Sequence, residues 1–95
     1  MTRYNIGYRF EREIVNDYKA RGWPVALRSA GSHSPFDVVC ARGQEIHWIQ
    51  AKKDGHISKA ELELLIALLE EVPGRIFVAS KIKGGIRYEE VSDLC

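Results

Sequence analysis

The sequence predicts an α/β fold in one domain, with the order helix, three strands, helix, two strands. Three observations predict it. Apolar residues near the N-terminus recur at helical spacing, short β-rich segments are separated by turn residues, and a capping box opens a second amphipathic helix. Ninety-five residues suit a single domain spanning 1–95. Such a domain buries about 60–70% of its unfolded surface, so a partner subunit would add apolar burial that a chain of this size needs.

The elements follow in order. Ile6, Phe10, Ile14, Val15 and Tyr18 place one buried stripe on a helix from about Asn5 to Arg21, and Gly22 stops it. Val25 to Arg28 reads as a strand, and Ser29 to Pro35 as a Gly/Ser loop. Phe36 to Ala41 and Glu45 to Lys52 read as two strands joined tightly at Arg42-Gly43-Gln44, hence as a hairpin. Ser58 and Glu61 form the capping box, Ile57 can staple to Leu62, and Leu62, Leu65, Ile66 and Leu69 give the apolar stripe. Pro73-Gly74 ends this helix. Arg75 to Ser80 and Ile86 to Val91 are the last strands, around a Lys83-Gly84-Gly85 turn. There are no repeats, low-complexity tracts or linkers.

Composition narrows the function classes. No apolar run approaches the ~20 residues of a membrane span, and the N-terminus lacks a signal-peptide core. Cys40 and Cys95 form no disulfide framework. An intracellular, cytoplasmic protein is the expectation. With 14 Lys+Arg against 13 Asp+Glu, net charge does not announce a nucleic-acid binder. A basic surface has to come from local clusters such as Arg9, Arg12, Arg21 and Arg28, or Lys52, Lys53 and Lys59.

The chemistry concentrates in two strands. Asp37 precedes Gln50 by thirteen positions, and Lys52 follows Gln50 by two. Side chains alternate along a strand, so Gln50 and Lys52 share a face, while His47, Ile49 and Ala51 take the other. If the preceding strand pairs alongside, Asp37 comes next to Gln50. A carboxylate and an amide oxygen suit Mg²⁺, with water and phosphate oxygens completing its shell. Such an ion activates water and neutralises charge building at phosphorus. Lys52 can stabilise that charge or orient the attacking water, and Glu11 on the first helix would complete the cluster. The set suits phosphodiester hydrolysis, although Asp-x(n)-Gln-x-Lys by itself is a loose pattern.

Phe10-Glu11-Arg12-Glu13-Ile14-Val15, Leu27 to Ser32, Phe36-Asp37-Val38-Val39 and Gln50-Ala51-Lys52 together resemble the archaeal Holliday junction resolvases of the PD-(D/E)XK nuclease superfamily. The resemblance covers nearly all of Gly7 to Val91, including element order. It implies a restriction-endonuclease-like mixed sheet flanked by helices, and a symmetric dimer that cuts four-way DNA junctions with Mg²⁺, or Mn²⁺ in its place. Glu11, Asp37 and Gln50 match the metal-binding positions, Lys52 the catalytic lysine, and Arg12 and Arg28 arginines that support DNA binding and cleavage. Ser32 falls in a loop carrying a functional serine in some relatives. Arg9 and Lys53 join the expected DNA contacts. Resolvases usually carry glutamate where this chain has Gln50; the Gln-x-Lys form resembles restriction endonucleases of the Mrr kind.

Plainer readings stand beside these. Glu11 taken alone is better explained by an i,i+4 pair on a solvated helix face, and the resemblance reverses that preference. His47 reads as a cross-strand neighbour, His33 and His56 as loop residues, and Trp48 as core. The second helix's apolar stripe serves either core or dimer seam. Beside the resolvase stand a restriction-like or nicking nuclease and a non-catalytic DNA-binding scaffold in which Gln50 marks lost chemistry.

Overall fold

The structure is a computed structural model that describes residues 3–29 and 34–94, with side chains from residue 8 onward. The expected roles of Ile6, Ser32, His33 and Cys95 lie outside those described side chains. The elements are α1 (Arg3–Ala20), β1 (Val25–Arg28), β2 (Val38–Arg42), β3 (Glu45–Ala51), α2 (Lys59–Leu68), β4 (Arg75–Ile82), β5 (Gly85–Glu90) and a short 3-10 helix, Val91–Leu94. This is the predicted order with one turn added. The strands lie side by side in sequence order. β1–β2, β2–β3 and β4–β5 pair antiparallel, and β3–β4 pair parallel. The parallel pair needs a crossover, and α2 supplies it.

The helices cover opposite faces. Phe10, Ile14, Val15 and Tyr18 of α1 pack with Ala26, Val38, Cys40, Ile49 and Ala79 from the sheet. On the other face Leu65 of α2 packs with Ile76, Val78, Phe36 and Val91, flanked by Trp48, Leu62 and Ile66. The spacing of the α1 apolar residues and the Ser58–Glu61 capping box, both hydrogen bonds of which form, explain why these helices present those stripes.

Boundaries move where packing overrides pattern. Strand β2 starts at Val38 and not at Phe36. Phe36 and Val38 are two residues apart yet enter opposite cores, which a regular strand forbids. The chain therefore bends at Asp37. Helix α2 ends at Leu68, short of Pro73-Gly74, because the Leu69 N–H bonds to Ile66 O and tightens the last turn. Val91 leaves β5 to sit fully buried under α2. Gly74 opens β4 at φ +91, and a Cβ there would come within 2.2 Å of Ile46 O, so only glycine fits.

Candidate active site

Asp37 is held by its own main chain. Its C=O accepts from Ser29 N at 2.8 Å and its N–H donates to Ile49 O at 2.8 Å, so the residue just past β1 and strand β3 grip it from both sides. Its Oδ2 accepts from Ala51 N at 2.7 Å. Burial pushes the Asp37 carboxyl above its ordinary range, and the Glu11 charge adds to that; Ala51 N–H, Lys52 and Arg28 pull the other way without prevailing. Charge on Asp37 is thus disfavoured by the fold, and a cation would restore it.

Gln50 lies opposite Asp37 when the β2–β3 register, Val38 with Ile49, is continued by one residue. Its Oε1 is buried and has no hydrogen-bond partner among the described residues. A buried amide oxygen left unpaired costs free energy, and that atom is free to meet an external ligand. Lys52 follows on the same face, its N–H bonded to Ala79 O at 2.8 Å, and its ammonium pairs with Glu61 Oε2 on α2.

Glu11 reaches the site from the α1 layer. Its Oε1 accepts from Arg28 Nε at 2.9 Å, and the Arg28 guanidinium lies 3.8 Å over the Tyr8 ring. Glu11 therefore makes a cross-element ion pair with β1, not the local helical pair of the plainer reading. Arg28, expected on DNA, also holds a carboxylate in place. Arg9 and Arg12 are exposed on α1, and Lys53 is exposed just past β3. Lys53 lines an open depression of about 610 Å³ with Ala51, Lys52, Asp54 and Lys81. Lys81 is itself paired with Glu13. Three lysines make this depression a natural seat for phosphate oxygens.

Two side chains here escaped the sequence reading as site residues. Glu61 was legible only as a cap, and Lys81 lay beyond the expected end of its strand. The plainer readings of two aromatics hold: His47 lies beside Phe77 of the neighbouring strand β4, 4.6 Å between ring centroids, and Trp48 joins the α2 core while its Nε1 donates to Pro73 O at 2.6 Å. Among the described residues no three His, Cys, Asp or Glu side chains gather as a ligand group. An oxygen set for a cation here has to include Gln50, and its partnerless oxygen fits that task.

Fold and site together define a class: a mixed five-stranded α/β protein that collects carboxylate, amide and ammonium groups where β2 begins and β3 ends. The chain belongs to the archaeal Holliday junction resolvase (Hjc) family, whose profile matches residues 2–94. It is 31% identical over 86 residues to the crossover junction endodeoxyribonuclease Hjc of Methanocaldococcus jannaschii, covering 86% of this chain and 63% of that one. The chain thus spans less than two thirds of that relative's length. Its fold is similar to the solved structure of Archaeoglobus fulgidus Hjc, a Holliday junction resolvase from a hyperthermophile. That match has a TM-score of 0.73 and 27% identity, and covers 90% of this chain and 73% of the other. No helix among the described residues is long and apolar enough to cross a membrane.

Proposed function

We propose that this chain is a single-domain, metal-dependent endonuclease that resolves four-way DNA junctions in the cytoplasm as a homodimer. The observation that carries the reading is the buried, partnerless Oε1 of Gln50 opposite Asp37, in a chain of the resolvase family. Glu11, Asp37 and Gln50 would hold Mg²⁺, or Mn²⁺, through side-chain oxygens. When bound, the ion acidifies the attacking water and offsets charge on the phosphate. The rest falls to the chain's own groups. Lys52 orients a phosphate oxygen or the nucleophile, and Arg28 keeps Glu11 directed inward. Arg9, Arg12 and Lys53 contact the phosphate backbone, which suits an enzyme that reads shape more than sequence.

The dimer reading draws on exposed apolar side chains. Val25 and Leu27 of β1 are 40% and 57% exposed, and Leu64 of α2 is 50% exposed. Val25 and Leu27 pair with Ala41 and Val39 in register, so these side chains share the sheet face that α2 leaves open. A two-fold contact over the β1 pair would bury them and present two sites to two symmetric strands. Light scattering at micromolar concentration should give a dimer, and Leu27→Lys a monomer.

The deciding assay incubates the protein with labelled four-way junction, duplex and single strands, with and without Mg²⁺. Mg²⁺-dependent nicks paired across the junction are expected. Cleavage of duplex in preference to junction would point to a restriction-like enzyme. The scaffold reading, favoured by the lower charge that Gln50 leaves, requires tight junction binding with no cleavage in either metal.

A further inference from the structure

We propose that Glu61 is a positioning residue for Lys52, fastening the ammonium of the candidate active site to the first turn of α2. The inference rests on the nuclease reading above.

A capping box needs one side-chain acceptor at its third helical residue, and glutamine serves as well as glutamate. Glu61 does more than cap. Its Oε1 accepts from Ser58 N at 3.2 Å, its own N–H donates to Ser58 Oγ at 3.1 Å, and its Oε2 pairs with Lys52 Nζ. Glutamine has one oxygen and cannot fill both posts. The Lys52 hydrogen bond is also the chief reason that the Glu61 carboxyl is pulled down to about 2. Lys52 is meanwhile pinned at its main chain, with N–H on Ala79 O at 2.8 Å and C=O accepting from Gly55 N at 2.7 Å. A lysine carries a long flexible stem. Fixed at both base and head, it presents its remaining donors in one direction. An ammonium has three N–H bonds: one meets Glu61, which leaves two for phosphate oxygen and water. Helix α2 thus serves the chemistry, besides making the crossover.

Two substitutions separate the cap from the clamp. Glu61→Gln keeps a capping acceptor and removes the ion pair, whereas Ser58→Ala removes the cap and leaves Lys52 paired. Junction cleavage is measured in Mg²⁺ as maximal rate and half-saturating protein concentration, with thermal midpoints alongside. Glu61→Gln should lose about tenfold in maximal rate, the scale expected when a reacting group is misplaced by a fraction of an ångström. Its half-saturating concentration should stay unchanged, and Glu61→Ala should fall at least as far. Ser58→Ala should melt earlier and cut at the parent rate. An active parent whose Glu61→Gln and Glu61→Ala variants both keep the maximal rate overturns this inference alone. An equal loss in Ser58→Ala overturns it too, by assigning the effect to the cap. A parent that cuts no junction overturns the nuclease reading first, and this one with it.

Discussion

At the N-terminal end of β3 the buried polar groups satisfy one another, whereas at its C-terminal end they do not. His47, only 7% exposed, has Nδ1 at 2.9 Å from the Tyr18 hydroxyl and Nε2 at 3.2 Å from Glu45. Burial pushes the Tyr18 hydroxyl up to about 12 and holds the imidazole below its ordinary value. A neutral ring donating to Glu45 and accepting from Tyr18 completes the network. Trp23 and Phe77 flank it at 4.5 and 4.6 Å between ring centroids. Three residues along the same strand, Gln50 has an oxygen unpaired among the described residues, and Asp37 opposite it carries a charge that burial and Glu11 both oppose. Closed networks specify structure; open ones wait for a ligand.

The strongest way to break this contrast is Asp37→Asn. The amide oxygen can still accept from Ala51 N while the charge is gone. Cleavage in Mg²⁺ should fall by roughly a thousandfold, the upper range for loss of a charge-stabilising group. Stability should not fall with it. A carboxyl whose pKa is raised by folding favours the fold only when protonated, and that contribution is lost as pH rises through its folded value. Neutralising Asp37 should therefore leave the thermal midpoint at pH 7 equal or higher. A variant that melts early would show that the charge is structural.

Tyr18→Phe tests the closed end. It leaves buried His47 Nδ1 unpaired, at a cost of about 1–3 kcal/mol, which lowers the melting temperature by about 4–8 °C per kcal/mol in a domain of this size. The maximal cleavage rate should hold at temperatures where the fold persists. Loss of rate without loss of stability would erase the division between the two ends.

Gln50→Glu sharpens the open end. A third carboxylate strengthens the pull on a hard cation, so the Mg²⁺ concentration for half-maximal cleavage should drop severalfold. Mg²⁺ should also raise the melting temperature more than it does in the parent. An inactive parent that cuts only as Gln50→Glu would identify the glutamine as the mark of a switched-off enzyme.

The smallest expected effect is in pH. Since folding lowers the His47 pKa from 6.5, the unfolded chain takes up that proton first. The contribution is complete above about pH 6.5 and is lost as pH falls below it. Urea unfolding between pH 7.5 and 5 should show this slope, and His47→Gln should flatten it.

Much of this was legible in the chain, for reasons that differ by residue. β1 begins and ends where Val25 and Arg28 predict, because Trp23-Pro24 before it and the Gly/Ser loop after it punctuate strongly. The capping box announced α2 through local hydrogen bonding alone. Asp37, Gln50 and Lys52 were readable as a set because strand alternation is rigid. The bend at Asp37 was not, since only the existence of two separate cores forces Phe36 and Val38 apart. Glu61 escaped for a similar reason. Its local partner, Ser58, is three residues away and explains it fully, while its second partner, Lys52, belongs to another element.

The stitching of Asp37 has a consequence for how such a chain can vary. Its address is set by the N–H of Ser29, just past β1, and the C=O of Ile49 in β3, peptide groups that do not depend on the side chains there, proline at position 29 excepted. Neighbours can therefore be exchanged without relocating the aspartate. The residue at position 50 becomes a dial on the local charge, glutamine here and open to a protein engineer who wants an acid, an amide or an imidazole. The chassis stays, and the reactivity is what can be rewritten.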